Sequence, residues 1–394
     1  MKYDVCIIGG CGHVGLPFGM VLADQGKQVA LYDINEASIA KVNAAQMPFK
    51  ENGGDELIKK VIKNKRLVAT NDVSVIKQSK IVIMVIGTPV DEHLNPRVQD
   101  IFKAVKEVED QLTDDHLLIM RSTLYPGMTE KVQAYLRRNG KKTAVAFCPE
   151  RIMEGHALTE LYELPQLVAG CSEDATKRAC ELFAKSKEII VLEPLEAELA
   201  KLFTNTYRYL SFAIANQFYM IANANQLDFY RIHNAMTKDY PRLKGFAKAG
   251  LAAGPCLFKD TMQLSAFADN TFFMGHSAML VNEGLPGFVV ESMKQKYDLS
   301  HMTVGILGMA FKPNSDDIRE SLSYKLKKRL QFEAKDVLCH DPYVKDSRLV
   351  SMEKIQKEAD IIVLGVPHSV YATENWDDKK LVDMWNFYGK GGLV

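Results

Sequence analysis

The sequence has no charge of a dominant sign: Lys plus Arg and Asp plus Glu each number 49, for a formal net charge of zero. That balance excludes binding to nucleic acid or an anionic membrane through bulk electrostatics, while leaving room for a local basic pocket that takes a phosphorylated ligand. Paired cysteines are also lacking. The seven present, Cys6, Cys11, Cys148, Cys171, Cys180, Cys256 and Cys339, are scattered, odd in number and form no Cys-x-x-Cys pair. This excludes a disulfide framework and a cysteine-rich zinc site, and it is the usage of a reduced, cytoplasmic protein. No apolar run reaches the ~18 residues of a membrane span. The N-terminus MKYDVCIIGG ends in glycines rather than at a cleavage site, so it reads as a strand and not a signal peptide. The histidines show no ligand spacing and no metal is expected. Low-complexity segments are absent.

What is there is a chain of 394 residues with ordinary globular composition, 47% hydrophobic and 25% charged, long enough for two or three domains. YDVCIIGG, QVALYD (28–33), IVIMVIG (81–87), LLIM (117–120), AVAF (144–147), QLVAG (166–170) and EIIVL (188–192) read as strands, with helical patterns over 14–23, 100–112 and 129–138. Strand alternating with helix implies a parallel sheet covered on both faces. From Pro194 the texture changes. EAELAKLFTNTYRYLSFAIANQFYMIANANQ reads as one helix of about thirty residues, followed by the helical stretches DFYRIHNAM, LFKDTMQLSAFAD and HSAMLVNEGLPGFVVESMKQKY. Such a length points to a bridge between domains or a dimer interface. From Met302 alternation returns, with strands TVGILG, DVLCHD and DIIVLGV and a helix over 319–333. The expected fold is α/β: doubly wound domains over residues 1–194 and 299–394, joined by an all-helical central domain over 195–298. The two α/β ends are similar in style but show no residue-level repeat.

Gly10-Cys11-Gly12-His13-Val14-Gly15 matches G-x-G-x-x-G. It follows a strand, opens a helix and is followed by an acid, Asp33, at the end of the next strand. Gly10 allows the tight turn, Gly12 lets backbone approach a pyrophosphate, and Gly15 lets helix and strand pack closely. The phosphates then meet the N–H groups and positive dipole of the helix start. Asp33 can accept hydrogen bonds from both ribose hydroxyls and repels a 2′-phosphate; no arginine follows in Ile34-Asn35-Glu36, which favours NAD over NADP. The alternative is a glycine-rich turn with no ligand. Thr88 and Thr123 lie in loops at strand ends, GTP and STLYPG, where ligands of such sheets bind; simple turn chemistry accounts for those residues equally well.

Lys201 and Asn205 are one helical turn apart and share a face. Cys256 and Asp260 repeat that spacing at another helix start, with Lys259 between them, a setting that favours a thiolate and a nearby proton acceptor. A small buried core cysteine is the alternative for Cys256. Glu150 and Glu154, in CPERIMEGH, are a third such pair if that segment is helical, although Pro149 and Gly155 argue for a loop; a surface acidic pair is the alternative.

In order, GGCGHVGLP, VIGTPV, STLYPGMTE, CPERIMEG, EAELAKLFTN, GPCLFKD and GMAFKPNSDDIRES resemble the nucleotide-sugar 6-dehydrogenases, the UDP-glucose/GDP-mannose dehydrogenase family, over essentially the whole chain. The resemblance implies two Rossmann-like domains and a four-electron, NAD-dependent oxidation of a nucleotide-linked sugar at C6, giving a uronic acid donor for polysaccharide or glycoconjugate synthesis. It implies a homodimer formed through the long helix. By motif, Cys256 matches the nucleophile that holds the aldehyde as a thiohemiacetal and then a thioester. Lys201 and Asn205 match the groups that stabilise oxyanion charge, and Asp260 the carboxylate that works with Lys201 and an ordered water. Glu150 matches the residue assigned to water activation in thioester hydrolysis, with Thr123 beside the chemistry. Around the cofactor the match places His13, Val14, Thr88, Thr123, Glu154, Lys259 and Arg319. Around the sugar nucleotide it places Glu150, Arg151, Lys201, Asn205, Arg242, Phe246, Lys248, Gly254, Phe311 and Lys312, with Arg242 reaching across the dimer and the loop 246–254 closing over substrate.

The chain departs from the family pattern just before the cysteine. The family's glycine-rich loop reads Leu251-Ala252-Ala253-Gly254-Pro255 here, keeping only Gly254, and the usual proline before the lysine is Phe258. CPERIMEG mixes a start like dehydrogenases of N-acetylated sugars with an ending like the UDP-glucose type. The reading favours a UDP sugar, a 2-acetamido hexose ahead of glucose. Two rivals are a two-electron β-hydroxyacid dehydrogenase of the 6-phosphogluconate type, which lacks the cysteine and the domain after Met302, and a catalytically silent nucleotide-sensing protein, which would have lost a catalytic match.

Overall fold

The computed structural model describes residues 2–251, 254 and 256–394. They divide into two compact units, Met1–Thr204 and Asn205–Val394, and the 31-residue helix Pro194–Ala224 runs through the division.

The first unit is built on eight strands: β1 Tyr3–Ile8, β2 Val29–Tyr32, β3 Leu67–Thr70, β4 Ser79–Met84, β5 Leu117–Met120, β6 Ala144–Phe147, β7 Gln166–Gly170 and β8 Ile189–Val191. Their order is β3-β2-β1-β4-β5-β6-β7-β8. The six strands from β3 to β6 are parallel, in the doubly wound order whose crevice opens beyond the carboxyl ends of β1 and β4. Apolar runs such as YDVCII and LLIM suit strands covered on both faces, and both are buried almost throughout. The expectation of an all-parallel sheet fails at one step. β7 runs antiparallel to β6, Ala146 pairing with Gly170, because the connecting segment carries only the seven-residue helix Ala157–Glu163 and turns back rather than crossing the sheet. β3 escaped the sequence reading because four residues at a sheet edge are too short to show a period.

The second unit holds the rest of the long helix, the helices Phe229–Thr237, Leu257–Phe267 and Phe273–Lys296, and a parallel sheet of β9 Thr303–Leu307, β10 Asp336–His340, β11 Ile361–Leu364 and β12 Lys380–Val382 in the order β10-β9-β11-β12. The helix expected over 319–333 begins at Leu322, capped by Ser321, whose side chain accepts from Ser323 N. Helices and sheet share one core: Ala215, Tyr219, Leu285 and Val289 pack with Val304, Ile306, Ile361 and Val363. The change of texture near residue 298 is therefore a change of secondary structure inside a single packing unit.

The two sheets share one local device at the first strand end, although their sequences show no residue-level repeat. Gly9 follows β1 with φ +73° and Gly308 follows β9 with φ +88°. A Cβ on Gly9 would lie 1.9 Å from the carbonyl oxygen of Val85, and one on Gly308 2.5 Å from that of Val366. An aspartate ends the neighbouring strand in each case. Asp33 Oδ2 accepts from Cys11 N at 2.9 Å, and Asp341 Oδ2 accepts from Met309 N at 2.7 Å and Ala310 N at 3.1 Å. Only a glycine and an acid are common to the two loops, too little to stand out in sequence.

Candidate active site

The fingerprint loop is shaped by contacts that only glycine allows. The tight turn expected of Gly10 belongs to Gly9, the residue with positive φ. Gly10 instead permits close packing, since a Cβ there would sit 2.7 Å from Leu31 Cβ, and on Gly15 one would sit 2.6 Å from the carbonyl oxygen of Gly9. Gly12 is different: its Cβ would meet only that same carbonyl oxygen, at an ordinary 3.5 Å. Nothing in the unit's own packing demands glycine at 12, so the open space is what a pyrophosphate needs. The helix Gly15–Asp24 starts at Val14 with no side-chain cap and no acid in its first turn, leaving its N–H groups and dipole for an anion. Asp33 is aimed by its bonds from Cys11 N and, at 3.0 Å, Asn35 N. His13 stacks on Phe49, centroids 4.0 Å apart. These residues fit a dinucleotide.

The neighbouring strand-end loops are tied together: Ser122 Oγ accepts from Ile86 N at 2.7 Å, fixing the loops that carry half-buried Thr88 and Thr123. Glu150 and Glu154 lie in a loop, not a helix, which ends where Ala157 begins the next helix. Glu150 pairs with Arg121, a residue the sequence reading missed. The Arg121 side chain is fully buried, lies over the rings of Phe18 and Phe183 at 4.2 and 5.3 Å, and donates to Cys148 O at 3.0 Å and Gln166 Oε1 at 3.1 Å. The other oxygen of Glu150 accepts from Arg151 N at 2.7 Å and Ile152 N at 2.9 Å, so the carboxylate is oriented from both sides. The Arg151 guanidinium reaches Pro165 O at 3.4 Å.

Glu198 was missed as well. Fully buried one turn before Lys201, it accepts from Gly127 N at 2.5 Å, Thr129 N at 2.8 Å and Thr129 Oγ1 at 2.6 Å. Burial pushes its pKa up against those bonds. It anchors the start of the long helix to the loop after Thr123. No sequence signal marked it, since Glu193, Glu196 and Lys201 surround it and a glutamate is normally exposed.

In the second unit Asn205 is buried and its Nδ2 donates to Asp260 Oδ2 at 2.6 Å; the other oxygen of Asp260, itself fully buried, pairs with Lys259 Nζ at 2.5 Å. Cys256 caps the 11-residue helix Leu257–Phe267, and Asp260 N donates to its carbonyl oxygen at 3.0 Å. Asp260 therefore sits one turn along the face that Cys256 begins. The core alternative for Cys256 does not hold: it is the one exposed cysteine of the seven. Burial pushes Cys6, Cys11 and Cys148 up to about 12, and Cys171 and Cys339 up to about 11.

Gly254 keeps its identity for a local reason. With φ +127°, a Cβ there would meet the Phe311 ring at 2.6 Å, so the GMAFKPN loop lies directly on the backbone before Cys256. Ala252, Ala253 and Pro255 lie outside the described residues. Lys312 follows Phe311, and Arg319 makes a bidentate pair with Asp317 (2.9 Å from Nε). Arg242 is exposed and stacks on Tyr240, Lys248 is exposed, and the Phe246 ring packs between Phe218 and His233. Lys201 belongs to the first unit, one turn from Asn205 along the same helix.

Three consecutive segments match models of one family: an NAD binding domain over residues 3–187, a central domain over 195–283 and a UDP binding domain over 305–390, all of the UDP-glucose/GDP-mannose dehydrogenase family. The UDP-N-acetyl-D-mannosamine dehydrogenase of Pyrococcus horikoshii is 30% identical over 381 residues, covering 93% of this chain and 90% of that one. The chain belongs to the UDP-glucose/GDP-mannose dehydrogenase family. It is an NAD-dependent oxidoreductase of the nucleotide-sugar dehydrogenase kind. The solved structure of the Pyrococcus enzyme has a TM-score of 0.90 at 29% identity, covering 98% of this chain and 96% of that one. A UDP-glucose dehydrogenase from Pyrobaculum islandicum also has a TM-score of 0.90, at 25% identity and 98% and 94% coverage. The NDP-N-acetyl-D-galactosaminuronic acid dehydrogenase of Ralstonia solanacearum is 26% identical over 408 residues, covering 96% and 95%. Among the described residues no helix is long and apolar enough to cross a membrane.

Proposed function

We propose that this family member oxidises the C6 alcohol of a UDP-linked 2-acetamido hexose to the carboxylate through a thioester on Cys256. The observation that carries the reading is the exposed thiol of Cys256 at a helix start, one turn before the buried Asp260–Asn205 pair. UDP-N-acetylmannosamine is the first substrate to try, since the Pyrococcus relative bears that name, with the N-acetylgalactosamine and glucose compounds next.

Gly10, Gly12, Val14, Gly15 and Asp33, with Thr88 and Thr123 at the neighbouring strand ends, would hold NAD+, which when bound would supply the hydride acceptor for each of the two oxidations. The first leaves an aldehyde. The Cys256 sulfur adds to its carbon and the carbonyl oxygen takes a proton, giving a thiohemiacetal that cannot leave and again carries a C–H and an O–H to oxidise. Lys201 and Asn205 stabilise the oxygen charge, and Asp260 manages its proton. The second oxidation leaves a thioester. Water adds to it, positioned by Glu150, and breaks the C–S bond, returning the Cys256 thiol and releasing the uronic acid. Residues 1–194, 195–298 and 299–394 would then serve the cofactor, the chemistry and the nucleotide. The chain works as a homodimer through the long helix, whose Phe203, Tyr207, Ile214, Phe218 and Ile221 form an exposed apolar stripe at helical spacing.

The test is NADH counted per sugar oxidised on a panel of UDP sugars, for the wild type and Cys256→Ser. The wild type should give two and the serine variant should lose the second. One NADH per sugar, unaffected by serine, would remove the thioester from the mechanism and favour the two-electron reading.

A further inference from the structure

The loop that carries Phe311 and Lys312 hangs from one buried pair of side chains, His368 and Asp341, both fully inaccessible. His368 Nε2 lies 2.9 Å from Asp341 Oδ2, and His368 Nδ1 accepts from Asn314 N at 2.8 Å. A nitrogen that accepts a backbone N–H carries no proton, so the imidazole is neutral and donates through Nε2 to Asp341. Asp341 accepts in addition from Met309 N and Ala310 N on one oxygen, and from Tyr343 N at 2.9 Å and Val344 N at 3.1 Å on the other. The pair thus grips the loop before Phe311, at residues 309 and 310, and after Lys312, at residue 314. Asn314, at φ +57°, is locked further: its Oδ1 accepts from Ser369 N at 3.0 Å and Ser369 Oγ at 2.9 Å, from the segment next to His368.

In the other sheet the corresponding acid, Asp33, is half-buried and available to a ribose. Here His368 covers Asp341, so this acid has a structural task in place of a ligand. The Phe311 ring, held between the two grips, rests on Gly254, two residues before Cys256.

We propose that His368 is a positioning residue: relayed through Asp341, it sets the Phe311–Lys312 span for the nucleotide half of the substrate and fixes the backbone that leads to Cys256. This rests on the reading of residues 305–390 as the nucleotide-binding part. His368→Gln keeps a donor and an acceptor on one planar group and can serve both partners. His368→Leu keeps apolar bulk, leaves Asn314 N without its acceptor and removes one of the donors to Asp341.

The test is calorimetric titration of the full chain with UDP and, separately, NAD+. We expect His368→Leu to weaken UDP binding about 10-fold, His368→Gln to stay within about 2-fold of the wild type, and NAD+ binding to be unchanged in both. Equal UDP affinity in the wild type and the leucine variant overturns the proposal. So does the reverse order, leucine retaining and glutamine losing affinity, which would make His368 a packing residue. Wild type that binds no UDP refutes the nucleotide reading itself. If the fluorescence of Trp376 and Trp385 shows the second unit of the leucine variant to be misfolded, His368→Asn, whose shorter amide reaches only one partner, replaces it with the same expectation.

Discussion

Replacing Arg121 by methionine removes the positive charge from a buried ion pair of the first unit while keeping the length of the side chain. Three acceptors lose their donor: Glu150 Oε2, Cys148 O and Gln166 Oε1. Breaking a buried pair from one side costs about 3–5 kcal/mol. Glu150 softens the loss, because its side chain is 12% exposed and its other oxygen keeps two backbone donors. The methionine chain against Phe18 and Phe183 recovers about 1–2 kcal/mol of apolar burial. The net expectation is a destabilisation of about 3 kcal/mol. Urea unfolding followed by far-UV circular dichroism is the assay, read beside tryptophan fluorescence. Both tryptophans, Trp376 and Trp385, lie in the second unit, so the dichroism transition should move to lower urea ahead of the fluorescence one. Arg121→Met with Glu150→Gln should cost at least about 1 kcal/mol less than the sum of the single variants, since neutralising Glu150 removes the stranded charge. A cost below about 1 kcal/mol for Arg121→Met, or strict additivity in the double variant, would refute the argument that Arg121 is the electrostatic partner that holds Glu150.

Three further expectations follow from the same geometry. Gly12→Val should fold with an unchanged thermal midpoint yet raise the KM for NAD+ about 10-fold or more, whereas Gly10→Ala should lower the midpoint because Leu31 blocks its Cβ; thermal melts and steady-state kinetics on both variants separate the two roles. Iodoacetamide at pH 8 should modify Cys256 first, since a thiol held at about 12 is ionised in roughly one molecule in ten thousand; peptide mass spectrometry that finds early label on Cys6, Cys11 or Cys148 would contradict this. Tyr207→Glu with Ile214→Glu should convert a dimer to a monomer in sedimentation velocity, and an unchanged sedimentation coefficient would exclude the long-helix stripe as the interface.

Much of the fold was legible because its signals are local and long. The buried runs at β1, β4 and β5 and the 31-residue helix announce themselves by apolar content and period. β3 and β12, edge strands of four and three residues, do not, and the reversal at β7 depends on how the 148–165 connection turns, which no periodicity records. At the site, motif and spacing pointed to Cys256, Asp260 and Asn205, but the buried partners Arg121, Glu198 and His368 were invisible. Arginine, glutamate and histidine are ordinary surface residues until a fold closes over them.

By itself the sequence determined the alternating and all-helical stretches, the dinucleotide fingerprint and the pairing of Cys256 with Asp260 one turn on, because each of these is a relation between residues near one another along the chain. Tertiary structure alone decided that Cys256 is exposed while the other cysteines are enclosed to varying degrees, that Gly9 rather than Gly10 makes the turn, and that Glu150 and the Phe311 loop are held by Arg121 and by the His368–Asp341 pair. Those facts are set by partners 20 or more residues away, such as Val85 for Gly9, Arg121 for Glu150 and His368 for Asn314. Burial and hydrogen-bond satisfaction are properties of the packed chain, and no local pattern carries them.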